Sequence, residues 1–147
     1  MRPARPAISR RVFIDTSAYF ALLDPRDTNH QDARACWTQL VDVRRHTFTT
    51  NFVIAETHGL MLARLDHASA MAFLRQLPTS ATTIVRVSAR DEARGQQIIF
   101  QYGDKDFSLT DATSFAVMER LRIGAAFSYD RHFAQYGFGV LRSSAQA

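Results

Sequence analysis

The chain has one cysteine, Cys36, and one lysine, Lys105, in 147 residues. A single thiol excludes an internal disulfide and a cysteine-based zinc site. Cys36 stands beside Trp37 in a helical pattern and reads as a small core residue rather than a reactive thiol. No apolar run approaches the ~18 residues that cross a membrane. The basic start, MRPARPAISRR, lacks the apolar stretch of a secretory signal. These absences point to a cytoplasmic protein with no membrane partner. There is no internal repeat, no Gly-rich phosphate loop, no GxSxG elbow and no HExxH. The five histidines (His30, His46, His58, His67 and His132) are scattered.

What is present fits one domain with a sizeable core, since 46% of the residues are hydrophobic. The net charge is +4, from 18 basic and 14 acidic residues, and all the cations but Lys105 are Arg. If four acids share a pocket, ten of the 14 remain to offset 18 cations, so the rest of the surface is more basic than the total suggests. Guanidinium forks match phosphate bidentately. Arg-rich codon usage gives the same composition, so charge permits nucleic-acid binding without requiring it.

Strands and helices alternate. Residues 11–15 read as a strand, 17–23 as a short helix closed by Asp24-Pro25, and 30–44 as a helix capped by Asn29. HTFTT (46–50) is β-rich; Asn51 then caps a helix to about Leu65. A helix over 68–77 is stopped by Pro78, and a strand follows over 82–88. Further helices are expected over 89–102, stopped by Gly103, and over 109–122, capped by Ser108. A strand at 125–128, a turn of helix near Asp130 and a last strand at 139–141 complete the pattern. Such alternation argues for a parallel sheet covered on both faces, preceded by a loose basic arm over residues 1–10.

Four carboxylates stand out: Asp15, Glu56, Asp111 and Asp130. Asp15 and Asp130 follow short apolar runs, VFI and AAFSY, at the carboxyl ends of strands. In open parallel sheets ligands bind at that edge. Glu56 falls within an apolar helical stripe of Phe52, Val53, Leu60 and Ala63, where an unpaired charge is costly. It therefore needs an Arg partner or a metal pocket. Asp111 fits a capping box with Ser108, and Asp130 can also cap a helix. His132 reads as a surface histidine or as a contact to a scissile phosphate. Asp104 and Asp106 read as solvated loop charges, Asp106 with a possible place at the border of the site. Gathered acids repel one another unless a hard divalent cation holds them. One or two such ions, with a free carboxylate as general base, would support phosphodiester hydrolysis.

At these residues the chain resembles the PIN-domain ribonucleases, and among them the VapC-type toxins of toxin–antitoxin pairs. The matching segments are VFIDTSAYFALLD (12–24), TTNFVIAETHGL (49–60), DKDFSLTDATSFAVMERLRI (104–123) and AFSYDRHF (126–133). The resemblance implies a three-layer α/β/α sandwich with a parallel central sheet, formed by a single nuclease domain over 11–147. It implies endonucleolytic cleavage of RNA with Mg²⁺ or Mn²⁺, one or two ions, leaving a 5′-phosphate and a 3′-hydroxyl. It assigns catalysis to Asp15, Glu56, Asp111 and Asp130, metal binding to Asp15, Asp111 and Asp130, and support to Thr16, Asn51, Thr110 and Ser128. It also implies a homodimer and a small antitoxin protein as partner. Ser128 stands where Thr is common, and the basic arm is longer than in many short toxins; neither departure removes an acid. The competing reading is an RNA- or antitoxin-binding PIN module without significant catalysis. A phosphotransfer protein is excluded, because Asp15-Thr16-Ser17 replaces the Asp-x-Asp such a phosphatase needs and Lys105 does not follow a late strand.

Overall fold

Val12, Phe13 and Ile14 are completely buried, which makes the first strand, β1 (Arg11–Ile14), the centre of the molecule. The structure, a computed structural model, describes residues 10–143. The expected arm therefore lies, apart from Arg10, outside the described residues. After β1 come α1 (Thr16–Leu23), α2 (His30–Asp42), β2 (His46–Thr50), α3 (Asn51–Arg64) and α4 (His67–Gln76). A 3-10 turn (Leu77–Thr79) leads to β3 (Thr83–Val85), α5 (Ala89–Gln101) and α6 (Leu109–Leu121). The chain ends through β4 (Ala125–Phe127), α7 (Arg131–Tyr136) and β5 (Gly139–Leu141).

All four strand pairings are parallel, and the order is β3-β2-β1-β4-β5. The sheet grows from β1 in one direction through β2 and β3, then restarts on its other side with β4. Right-handed crossovers therefore lay the helices of the first half on one face and those of the second half on the other. The packing agrees: α1 lies against α2 and α3, and α3 against α4, while α5 pairs with α6 and α6 with α7. The reversal of winding falls between β1 and β4, where a crevice opens at the carboxyl edge. No helix among the described residues is long and apolar enough to cross a membrane.

Two groups of contacts fix the second half. Phe115 of α6 stacks on Tyr136 at 4.7 Å and meets Phe107 and Phe133 edge-on at 5.1 and 5.0 Å. Such pairs add about 0.5–1.5 kcal/mol each beyond area burial. They lock α7 onto α6. On the outer side Arg120 forks onto the buried Asp91 at 2.9 and 3.0 Å, and Arg94 bonds Glu119, so α5 and α6 are pinned together.

Several local expectations change. Asn29 makes no side-chain cap, and α2 ends at Asp42. Thr50, not Asn51, caps α3: its Oγ1 accepts from Val53 N at 3.1 Å. The β3 strand is three residues and not seven, because only Phe48, Thr49 and Thr50 of its short neighbour pair with it. Cys36 is buried, as expected, and burial pushes its thiol up to about 11.

Candidate active site

A cavity of about 190 Å³ opens in the crevice between β1 and β4. Its walls are Asp15, Thr16 and Ser17 from the start of α1, Val53, Glu56 and Leu60 from α3, Thr110 and Asp111 from α6, and Asp130 from the β4–α7 junction. All four sequence-predicted acids therefore reach one space, and each arrives by a local rule. Asp15 is the N-cap of α1, Asp111 the third residue of α6, and Asp130 the N-cap of α7. Capping and site membership are not alternatives here. A cap fixes a carboxylate at a helix N-terminus, and the sheet brings three such N-termini together.

Asp15 is the most confined. Its Oδ1 accepts from Ser17 Oγ at 2.8 Å and Ala18 N at 3.1 Å, and its Oδ2 from Ser128 Oγ at 2.8 Å. Burial nevertheless outweighs these bonds and, with the charge of Asp130, pushes its carboxyl up to about 7. Asp111 forms the expected capping box: its N donates to Ser108 Oγ at 3.0 Å, and its Oδ2 accepts from Ser108 N at 3.2 Å. Burial, then the nearby Asp130, raises its pKa, while His132 and Ser108 oppose the rise.

Glu56 reaches the cavity for a reason other than the one expected. It is exposed, and the buried face of α3 is Val53, Thr57 and Met61, spaced four apart. Phe52 and Leu60 are only partly covered, and Ala63 is exposed. The stripe that placed Glu56 against a core was misread, because α3 buries a narrow strip and borders the crevice with the rest.

The supporting residues divide. Ser128 bonds Asp15 as described. Thr110 lines the cavity, and its carbonyl accepts from Ser114 Oγ at 2.7 Å. Asn51 bonds none of the acids; its Oδ1 accepts from Val87 N at 2.8 Å and ties the β3–α5 loop to the start of α3. Thr16 lines the cavity with a buried Oγ1 that has no hydrogen-bond partner.

Two residues had no clear signal in the sequence. Ser17 bonds Asp15 and also accepts from Tyr129 N at 2.8 Å, joining α1 to the end of β4. His132 is largely buried, with Nδ1 2.8 Å from Asp111 Oδ2 and 3.2 Å from Asp130 Oδ1. Its ring meets Phe107 edge-on at 5.3 Å. Potential ligand atoms of Asp111, Asp130 and His132 all lie within 4.8 Å of one another. Asp106 is exposed and does not line the cavity; Asp104, also exposed, pairs with Lys105 at 3.3 Å.

The donor set suits a hard divalent cation. It is almost entirely oxygen, and two of its carboxyls are held above their ordinary pKa, by burial first and by the neighbouring Asp130 after it. Thr16, which also lines the space, has a buried Oγ1 without a hydrogen-bond partner. Asp111, Asp130 and His132 are close enough together to share an ion, and Asp15 stands on the same cavity. Glu56, the exposed acid, faces the solvent side.

The chain is similar over most of its length to known proteins. Across 131 residues it is 30% identical to the 23S rRNA-specific endonuclease VapC20 of Mycobacterium tuberculosis, spanning 89% of this chain and 98% of that protein. Ribonuclease VapC26 of the same organism is 26% identical over 124 residues, 84% of this chain and 90% of its own length. The crystal structure of VapC20, described as a sarcin–ricin loop cleaving toxin, superposes with a TM-score of 0.83 over 89% of this chain and 98% of that one. FitAcB from Neisseria gonorrhoeae matches with a TM-score of 0.64 at 15% identity, over 88% of this chain and 96% of its own, a likeness of fold. The PIN domain family pattern covers residues 12–139, from the first buried strand to the last. With that span matched, the winding reversal placed between β1 and β4, and four acids around one crevice, the chain belongs to the PIN-domain family.

Proposed function

We propose that this protein is a Mg²⁺- or Mn²⁺-dependent endoribonuclease and the toxin of a toxin–antitoxin pair. The observation that carries the reading is the convergence of Asp15, Glu56, Asp111 and Asp130 on one small cavity at the winding reversal. Asp15, Asp111 and Asp130 would hold one or two ions. Bound there, the metal supplies charge to the phosphate oxygens and acidity to a water. Ser17 and Ser128 fix both oxygens of Asp15, so its orientation is set before substrate arrives. Glu56 orients the attacking water and takes its proton. The water oxygen bonds to phosphorus, the bond to the 3′ oxygen breaks, and that oxygen takes a proton from solvent, leaving a 5′-phosphate and a 3′-hydroxyl. The domain is one unit over 11–147 behind a basic arm, and it works in the cytoplasm as a homodimer.

A separate cleft of about 510 Å³, lined by Tyr19, Leu22, Leu23, Trp37, Phe73 and Leu77, gives a small antitoxin an apolar seat. Leu62 and Leu74 are exposed on α3 and α4 and suit contact between copies.

The test is incubation of purified, antitoxin-free protein with total RNA in Mg²⁺ or Mn²⁺, beside EDTA and Asp15→Asn controls, with mapping of the cut ends. Ribosomal RNA is the first substrate to map, given the specificity stated for VapC20. Discrete cuts that vanish with EDTA and fall roughly 10²-fold or more in Asp15→Asn support the reading. RNA binding without cleavage, indifferent to metal, would support a binding module instead.

A further inference from the structure

The acidic cavity presents negative charge to a polyanion, so RNA must be held by cations beside it. Two of the arginines in the α5–α6 layer are not available for that. Arg94 pairs with Glu119, and Arg120 with Asp91. Elsewhere Arg26 pairs with Asp24, and Arg142 donates to the Ser128 carbonyl. Two of the arginines without such a partner lie next to residues that wall or brace the cavity. Arg86 and Arg131 are exposed, and among the described residues neither has a carboxylate partner.

Their places in the topology are definite. Arg86 is the first residue after β3, two strands from β1 on one side. Arg131 is the first residue of α7, after β4, which adjoins β1 on the other side. With neighbouring strands ~4.8 Å apart, β3 and β4 run ~10 Å and ~5 Å from β1, on opposite sides, so the two arginines leave the sheet on either side of Asp15. Each is joined to a cavity wall. Arg131 adjoins Asp130. Arg86 adjoins Val87, whose N–H is held by Asn51 at 2.8 Å, at the start of the helix that carries Glu56. That bond gives Asn51 a purpose at the site although it touches no acid.

We propose that Arg86 and Arg131 are a phosphate-binding pair that lays the RNA backbone across the carboxyl edge of the sheet, one flanking phosphate on each side of the cavity. Asn51 positions the Arg86 side by holding its loop. The proposal rests on the nuclease reading above and names how that site takes its polyanion.

The experiment measures binding of a fluorescein-labelled single-stranded RNA by anisotropy over a range of NaCl concentrations, with Asp15→Asn as an uncleaving background. Arg86→Ala and Arg131→Ala are each expected to weaken binding and to lower the slope of log affinity against log salt by about 0.7–1. In the otherwise native enzyme each raises KM with little change in kcat. The control is Arg44→Asn. Arg44 is exposed at the opposite edge, before β2, and its φ of 52° is one that Asn tolerates. It removes the same charge and is expected to leave the slope unchanged. Unchanged slopes in Arg86→Ala and Arg131→Ala, or an equal fall in Arg44→Asn, would overturn the proposal while leaving metal-dependent cleavage intact. Native protein that neither binds nor cuts RNA would remove the underlying reading as well.

Discussion

The sequence offers His132 as a surface residue or a phosphate contact; the structure corrects the first, because its side chain is only 15% exposed and bonds Asp111. One ring nitrogen lies 2.8 Å from Asp111 and 3.2 Å from Asp130, so the two carboxyls are drawn together across the gap between α6 and α7. Nothing in its local pattern signals this, because the partners meet only after Phe107, Phe115 and Phe133 pack the two helices. Asp15, Asp111 and Asp130 were legible because their positions follow from strand ends and caps, which are local. Glu56 was found through a faulty premise, since its helix is amphipathic with a narrower buried strip than its apolar residues suggest. Partners just outside a metal's ligands commonly matter 10–100-fold in affinity. His132→Ala is therefore expected to weaken Mn²⁺ binding by roughly 10–100-fold, read by calorimetry, with little change in fold by circular dichroism. His132→Gln, which keeps a donor, should recover part of the loss. Equal affinity in all three proteins would leave His132 a spectator.

At the scale of elements, helix and strand identities were readable while their joints were not. The Thr50–Asn51 boundary shows why: both are good caps, and only the demand of Val87 for an acceptor decides which side chain turns inward. Gly95 shows a second kind of joint. It sits within α5, where Gly costs about 0.5–1 kcal/mol relative to Ala, so the sequence alone favours replacement. A Cβ there would lie 3.0 Å from Thr113 Cγ2, 3.1 Å from Thr113 N and 3.3 Å from Ala112 C. Two of those atoms are backbone and cannot rotate away. Gly95→Ala is thus expected to destabilise the protein by about 1–3 kcal/mol through overpacking, against the helical gain. Asp111 adjoins the crowded residues, so activity should fall with stability. Denaturant titration checks the sign; a more stable Gly95→Ala would mean that α5 and α6 part more easily than their ion pairs allow.

For the whole molecule, the sheet order follows from winding rules and the buried VFI strand, but the balance of charge does not, because it depends on which acids the fold buries. Two sets of carboxyls oppose each other. Hydrogen bonds from Arg120 lower the pKa of Asp91, and backbone bonding at Ser69 lowers that of Asp66. Their contributions hold above the ordinary carboxylate range and are lost as pH falls through it. Asp15 and Asp111 act in the reverse sense. Burial raises both, Asp15 from 3.8 to about 7, so the unfolded chain releases these protons first as pH rises. Their contribution is complete below about pH 4 and declines until Asp15 ionises in the folded state near 7. For Asp15 alone the loss is on the order of 4 kcal/mol. Metal-free protein should therefore be most stable in mildly acid solution and lose stability between about pH 4 and pH 7, a descent that thermal melts in EDTA would record. Mn²⁺ should flatten it, because an ion among the acids favours their charged forms. Asp15→Asn should flatten it without metal, since the amide has no proton to lose. A native protein whose stability in EDTA is level from about pH 4 to pH 7 would show that the buried carboxyls are ionised at ordinary pH, and the cavity would then need no cation to hold it together.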